Sequence, residues 1–227
     1  MNSEHSRIRP ANAADLQTVR AITRNTIEAV YPHYYPAGAV AFFLAHHNDA
    51  AIRQDIAENR VYLYFSDDGE AAGTVTVREN DIGRLFVLPA YQGRGYGGAL
   101  MTFAEQLIAQ RYAEAVLDAS FAAKALYLRH GWRVTGWNRI LCDNGDYLCY
   151  DTMKKCVLTQ YQCVIVTTDD YAADGIAVGD SGCIIELYAD ACEVEFSRSD
   201  GTTYAMRAIP FAALRPVTET GGEHYDT

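Results

Sequence analysis

One turn constrains this chain more than any other feature: Pro89-Ala-Tyr-Gln-Gly-Arg-Gly-Tyr-Gly97. It follows a strand-like run, Ile82–Leu88, and opens a helix. The apolar face of that helix carries Tyr96, Leu100, Phe103, Ala104, Leu107 and Ile108. Glycines at 93, 95 and 97 let consecutive backbone N–H groups point into one concavity with no Cβ in the way. The first helical turn adds unpaired N–H groups and the positive end of its dipole. Such a turn suits a diphosphate, and Arg94 is placed to add a charge contact. It is not a P-loop, because no Gly-Lys-Ser/Thr follows. It makes a poor Rossmann fingerprint, since it lies mid-domain after an antiparallel meander.

The surrounding pattern is mixed α/β. Arg7–Pro10 reads as a short strand and Asn12–Val30 as a helix, with Leu16, Val19, Thr23, Ile27 and Val30 spaced by three or four. The loop Tyr31-Pro-His-Tyr-Tyr-Pro-Ala-Gly38 leads to helical stretches at Ala39–His46 and Asp49–Asn59. Strands are expected at Val61–Phe65, Ala72–Arg78 and Ile82–Leu88, then at Ala113–Asp118, Gly131–Ile140, Arg139–Cys142 and Tyr147–Met153. Phe121–His130 reads as a helix, and Asp143-Asn144-Gly145-Asp146 as a hairpin turn.

Beyond Lys155 the character changes. Of 29 acidic and 19 basic residues, residues 1–155 hold 17 and 16, while residues 156–227 hold 12 acids, three arginines and no lysine. The net charge of −10 therefore falls as −1 and −9, which argues for two domains. Gln162–Thr167, Gly182–Tyr188, Cys192–Phe196 and Thr203–Arg207 are short β-like runs between Asp/Gly turns, and a small β-barrel is the simplest packing. So acidic a surface repels phosphate backbones, so no nucleic-acid partner is expected for this part, which leaves solubility or a basic protein partner. No stretch approaches the roughly 18 apolar residues of a membrane helix, and residues 1–10 lack a signal-peptide core, so no membrane role and a cytoplasmic location are expected.

All six cysteines lie between Cys142 and Cys192 without C-x-x-C spacing, so buried free thiols are expected rather than disulfides or zinc. His46 and His47 are adjacent on a helix and do not share a face, so no metal site is expected.

The run Leu85-Phe-Val-Leu-Pro-Ala-Tyr-Gln-Gly-Arg-Gly-Tyr-Gly-Gly-Ala-Leu-Met101 resembles motif A of the GNAT superfamily of N-acetyltransferases, matching its Q/R-x-x-G-x-G/A signature at Gln92, Gly95 and Gly97. Leu117-Asp-Ala-Ser-Phe-Ala-Ala-Lys-Ala-Leu-Tyr-Leu-Arg-His-Gly-Trp132 resembles motif B, with Ala123, Tyr127, Gly131 and Trp132 in place and Ser120 where the family has Asn. The resemblance spans about residues 6–155. It implies a GNAT acyltransferase fold over residues 1–155, with acetyl-CoA as co-substrate, no metal, and a primary amine of a small molecule or protein as acceptor. Pantetheine would run along Leu85, Phe86 and Val87, with the Val87 N–H facing the oxyanion. Amides of Gln92, Gly93, Arg94, Gly95, Tyr96 and Gly97 would hold the diphosphate, with Ser120, Ala123 and Tyr127 completing the cofactor site. Tyr127 occupies the general-acid position. The family's usual glutamate falls at Gly83, which leaves Glu79, or Asp81 beside it, as base. Tyr31, His33 and Tyr34 lie in the loop that usually sets acceptor specificity, either as an aromatic wall around the amine or packed under the loop. The departures at Gly83 and Ser120 keep a second reading open: a CoA-binding member that has lost transfer and serves as a sensor or interaction module.

Val164-Ile-Val166, Gly179–Tyr188, Cys192–Phe196 and Asp200-Gly-Thr202 resemble the DUF4926 family. This implies a small SH3-like barrel over residues 156–218, suited to dimerisation or to binding a protein, with residues 219–227 as a flexible tail.

Overall fold

A computed structural model describes residues 7–217. By compactness these divide into two units. One holds the residues up to Glu105 together with Val116–Lys155; the other holds Gln106–Ala115 and the chain from Cys156 onward.

In chain order, with one end of a helix and of two strands belonging to the second unit, β1 (Ile8–Pro10) runs into a 3₁₀ turn closed by a capping box: the Asn12 side chain accepts from Ala14 N–H, while Asp15 accepts from Asn12 N–H. Then come α1 (Leu16–Val30), α2 (Ala37–His46) and α3 (Asp49–Ala57), the last capped by Asn48. The meander β2 (Val61–Phe65), β3 (Ala71–Arg78) and β4 (Asp81–Val87) leads through the glycine turn to α4 (Tyr96–Ile108). β5 (Glu114–Ala119), α5 (Lys124–Arg129), β6 (Arg133–Leu141) and β7 (Tyr147–Cys156) follow. The sheet order is β1-β2-β3-β4-β5-β7-β6, with β4 and β5 parallel. Val19, Ile22 and Ile27 of α1, Ile52 and Ile56 of α3, and Val61 and Leu63 of β2 share one apolar core.

Two details of this sheet set up a cleft. Across β3–β4, Thr74 faces Phe86 and Thr76 faces Gly83, so Val75 alone stands opposite Arg84 and Leu85. That is a bulge on β4, and Arg84 takes the left-handed φ of 45° that such a kink needs. The recorded pairing of β4 with β5 is confined to Asp81 and Val116.

Motif B is less helical than its pattern suggests. Only Lys124–Arg129 of the expected Phe121–His130 helix is α-helical. Phe121 is diverted: its N–H donates to Tyr35 Oη at 2.7 Å, and its ring stacks on Tyr35 at 5.4 Å. The stretches at Gly131–Ile140 and Arg139–Cys142 form one strand, β6. The Asp143–Asp146 turn joins it to β7 and also grips α2, since Gly38 N–H donates to Asp146 Oδ2 at 2.8 Å.

The second unit contains an all-antiparallel sheet, ordered β11 (Thr203–Pro210), β10 (Ala191–Ser197), β9 (Ser181–Leu187), β8 (Cys163–Val166), β12 (Leu214–Pro216). Cys192, Val194 and Phe196 are fully buried while Glu193 and Glu195 face outward, the alternation expected of this strand. The SH3-like all-β reading fits, but among the described residues the sheet is open, since β11 and β12 end it without pairing. The expected tail at 219–227 lies outside the described residues. No disulfide joins the cysteines, and the expectation that all are buried is corrected: Cys142 and Cys192 are, whereas Cys163 is exposed. Among the described residues, no helix is long and apolar enough to cross a membrane.

Gly182 shows how tightly the second unit packs. A Cβ there would lie 2.5 Å from Val194 Cγ1 and 2.7 Å from Glu195 O. Gly182→Ala is therefore expected to cost about 1–3 kcal/mol by overpacking, read as a lower urea midpoint for the unfolding of this unit.

Candidate active site

After Asp81 and Val116, the space beside β4 is occupied by two cavities in the first unit. The larger, ≈ 430 Å³, runs along the glycine turn; Leu85, Phe86, Val87, Gly93, Gly95, Gly97, Ala123 and Arg129 are among its lining residues. The smaller, ≈ 290 Å³, is lined by side chains from α2, β4, β5, α5, β6 and β7. Tyr31, Leu85 and Phe86 belong to both, so a single wall separates or joins them.

The larger cavity offers backbone. Gly93 and Gly95 have φ of 75° and 86°, and a Cβ on either would point into open space. The first N–H to bond within the helix is that of Ala99, to Gly95 O at 3.0 Å, so the amides from Gly93 onward head the cavity; that of Gln92, expected to join them, instead donates to Pro89 O at 3.3 Å. This cradle fits a diphosphate. Gln92 Nε2 donates to Val87 O at 2.9 Å, tying the turn back to β4. The Arg94 guanidinium lies over the Tyr91 ring and donates to Ala90 O. Arg129, which the sequence reading did not single out, lines the cavity instead. Thr26 was also missed; it sits in an apolar helix stripe, donates its hydroxyl proton to Ile22 O at 2.7 Å, and its Oγ1 lies 3.3 Å from Val87 O.

The smaller cavity offers side-chain chemistry. Tyr127 lines it, is buried, and has its phenol pKa pushed up by burial and by Tyr31. Tyr31 Oη donates to Ser120 Oγ at 3.2 Å, and burial lifts the Tyr31 pKa to about 12. Ser120 thus faces this cavity, hydrogen-bonded to Tyr31. His33 and Tyr34 are exposed and line neither cavity, whereas Tyr35 is buried.

Glu79 lies on the tight turn between β3 and β4, exposed, with φ of 54°, and lines neither cavity. Asp81, two residues on, does line the smaller one. Its carboxyl is held above the usual range by burial; Arg78 opposes this and Asp118 adds to it. Asp118 lines the same cavity and is also raised by burial. At Gly83, Arg78 Nη1 lies 3.5 Å from where a Cβ would be.

Behind β4 stands a buried ion cluster. Asp55 accepts from Arg78 Nε and Nη2 at 2.8 and 2.7 Å and from Arg84 Nη1 at 2.7 Å. Arg84 Nη1 also donates to Thr76 Oγ1 at 2.9 Å. Burial alone would raise the Asp55 carboxyl, but the hydrogen bonds from Arg78 and then Arg84 hold it below the usual range.

The comparisons with known proteins decide the family. The model of the acetyltransferase (GNAT) domain matches residues 30–155, more than half of the chain. The chain belongs to the GNAT acetyltransferases. Its C-terminal part, residues 163–216, matches the domain of unknown function DUF4926. Among solved structures, a GCN5-related N-acetyltransferase from Rhodopseudomonas palustris superimposes with a TM-score of 0.60 at 23% identity, covering 66% of this chain and 94% of that one. A ribosomal-protein-alanine N-acetyltransferase from Brucella melitensis gives 0.51 at 18%, covering 66% and 98%. Apo-form YjaB from Escherichia coli gives 0.50 at 17%, covering 64% and 95%. At these identities the likeness concerns the GNAT fold. No curated protein sequence matches this chain.

Because Asp55 owes its low pKa to the fold, its contribution to stability is full above the unfolded value of about 3.9 and is lost as pH falls through the folded one. Asp55→Asn is expected to cost about 3 kcal/mol at pH 7, since it leaves Arg84 buried without its counter-charge. In urea unfolding, the difference from wild type should narrow below about pH 4.

Proposed function

We propose that this GNAT protein transfers the acetyl group of acetyl-CoA to the primary amine of an acceptor by direct attack. One observation carries the reading: the diphosphate-shaped cradle and a pocket holding Asp81, Asp118 and Tyr127 open onto the same stretch of β4, at Leu85 and Phe86. Acetyl-CoA would supply an activated acyl group, its diphosphate against the amides of 93–97, since Gln92 N–H already donates to Pro89 O, and its pantetheine along Leu85–Val87. Ala123 lines that cavity beside it.

An amine at neutral pH arrives protonated and must lose a proton before it attacks. Asp81, with its raised pKa, is the better-placed acceptor of that proton, directly or through water; Glu79 faces away from the pocket. As the nitrogen bonds to the acyl carbon, negative charge grows on the carbonyl oxygen, where the Val87 N–H would meet it. Collapse expels a thiolate. Tyr127, whose buried phenol stays protonated, gives its proton to the leaving sulfur and regains one as the nitrogen of the new amide sheds its remaining extra proton, directly or through water.

Calorimetry with CoA and acetyl-CoA tests the cradle, and absence of heat with both on folded protein would overturn the reading. Thiol release across an amine panel tests the chemistry. Asp81→Asn and Tyr127→Phe should each lower kcat/KM by about 10²-fold, with Glu79→Gln within about twofold of wild type. A protonated Asp81 accepts no proton, so the wild-type rate should fall as pH drops through its raised pKa. Asp81→Asn should abolish that limb. Tight CoA binding without turnover of any amine would favour a sensor or interaction module instead.

A further inference from the structure

The proposed acetyl transfer makes no use of the cysteines of the second unit, yet two of them stand face to face. In the antiparallel pairing of β8 with β9, Cys163 lies directly opposite Cys183. Ile184 N–H donates to Gln162 O and Val166 N–H donates to Asp180 O, each at 3.0 Å. Backbone bonds alternate along an antiparallel pair, so Cys163 and Cys183, one step from the first of these, exchange none with each other. Cys163 O turns the other way and accepts from Val217 N–H at 3.0 Å.

A pair of that kind brings its Cα atoms to about 4.5 Å, the closest approach that a sheet offers. Disulfides span Cα separations of roughly 4.4–6.8 Å, so the register itself meets their requirement. Side chains directly opposite one another share a face of the sheet. Here it is the outer face: Val164 and Ile184 are fully buried on the inner one, while Cys163 is exposed and Cys183 half-buried. Burial pushes the Cys183 thiol up, and Cys163 and then Glu195 add to it, which places the two sulfurs within electrostatic reach. Cys192 and Cys149 are placed otherwise, since the first faces Leu187 and Ile209 and the second faces Arg139.

We propose that Cys163 and Cys183 form a reversible modification site, a dithiol that a low-molecular-weight disulfide such as oxidised glutathione converts into a cross-strand disulfide. Cys163, the exposed member, loses its proton and attacks one sulfur of the small disulfide. A bond from Cys163 to that sulfur forms, the small S–S bond breaks, and the departing thiolate takes up a proton. Cys183, held protonated by its burial, acts second: it loses its proton and attacks the Cys163 sulfur, expelling the other small thiol. Two protein thiols are oxidised and one small disulfide is reduced to two thiols, so electrons and protons balance. Exposed disulfides belong to the easily reduced class, and excess small thiol runs the exchange backwards. The site is independent of the acetyl-transfer reading.

Mass spectrometry of the full-length protein tests it. The folded chain is incubated with excess oxidised glutathione, quenched in acid, alkylated and cleaved at aspartates; Asp169, Asp170, Asp174 and Asp180 lie between the two cysteines and separate them. Wild type should lose two hydrogen atoms and two alkylatable thiols, with the Cys163 and Cys183 peptides joined, and dithiothreitol should restore both thiols. Cys183→Ser should stop with one glutathione on Cys163. Cys163→Ser should take up glutathione at position 183 at least about tenfold more slowly than Cys183→Ser does at 163, because the exposed attacker is gone. No link in wild type overturns the proposal, as does a glutathione that persists on Cys163, or a bond from either cysteine to a different thiol or a second chain. Where a serine variant does not fold, the link mapped in wild type decides alone.

Discussion

Asp55 accepts hydrogen bonds from two arginines while almost wholly removed from water, and the working face of β4 depends on that arrangement. Arg84 occupies a backbone conformation that a non-glycine residue adopts only at a cost. The strand tolerates it because the Arg84 guanidinium is anchored to Asp55 and Thr76. The bulge adds a residue to β4 against β3 and bends the strand. β4 pairs with β5 at Asp81 and Val116, and the two cavities lie beyond, along the remainder of the strand. A buried ion pair of this kind contributes more to geometry than to stability, since its desolvation offsets much of its attraction.

The cavities divide the chemistry by type. The larger uses main chain, where glycines keep Cβ atoms out of the way and helix geometry leaves donors free. The smaller uses titratable side chains whose burial shifts them: Asp81 and Asp118 upward, and Tyr31 and Tyr127 upward with their protons retained. On the proposed reading, placing both on one strand would bring an activated acyl group and an amine together, which is what direct transfer requires. The hairpin turn at Asn144–Asp146 holds α2 through Gly38, and α2 and β6–β7 together furnish the apolar lining of the smaller cavity.

Much of this was legible beforehand. The glycine turn could be placed because glycine at 93 and 95 has a local cause, a positive φ. The meander and the acidic alternation of Cys192–Phe196 follow from a period of two. The helix of motif B was overcalled because nothing in its pattern marks Phe121–Ala123 as the turn it is, closed onto Ser120 O, while Phe121 stacks on Tyr35, 86 positions away. Glu79 and Asp81 are two residues apart and chemically alike, so sequence could not rank them. A left-handed turn exposes the first, and strand β4 presents the second to the pocket. Thr26 and Arg129 had no local signal, since one lies in an apolar stripe and the other on a short helix rich in surface residues.

The amino-acid order alone determined the α/β pattern, the glycine turn at the head of α4, the two-part division of charge and the GNAT family, because each is written in spacing between near neighbours. Tertiary structure decided which carboxylate lines the smaller cavity, that Ser120 bonds to Tyr31, and that Arg84 lies buried with an unpaired donor. Those outcomes depend on contacts between residues far apart in the chain, and on burial, which sets both pKa and the cost of an unpaired group. Neither quantity exists until the strands have packed.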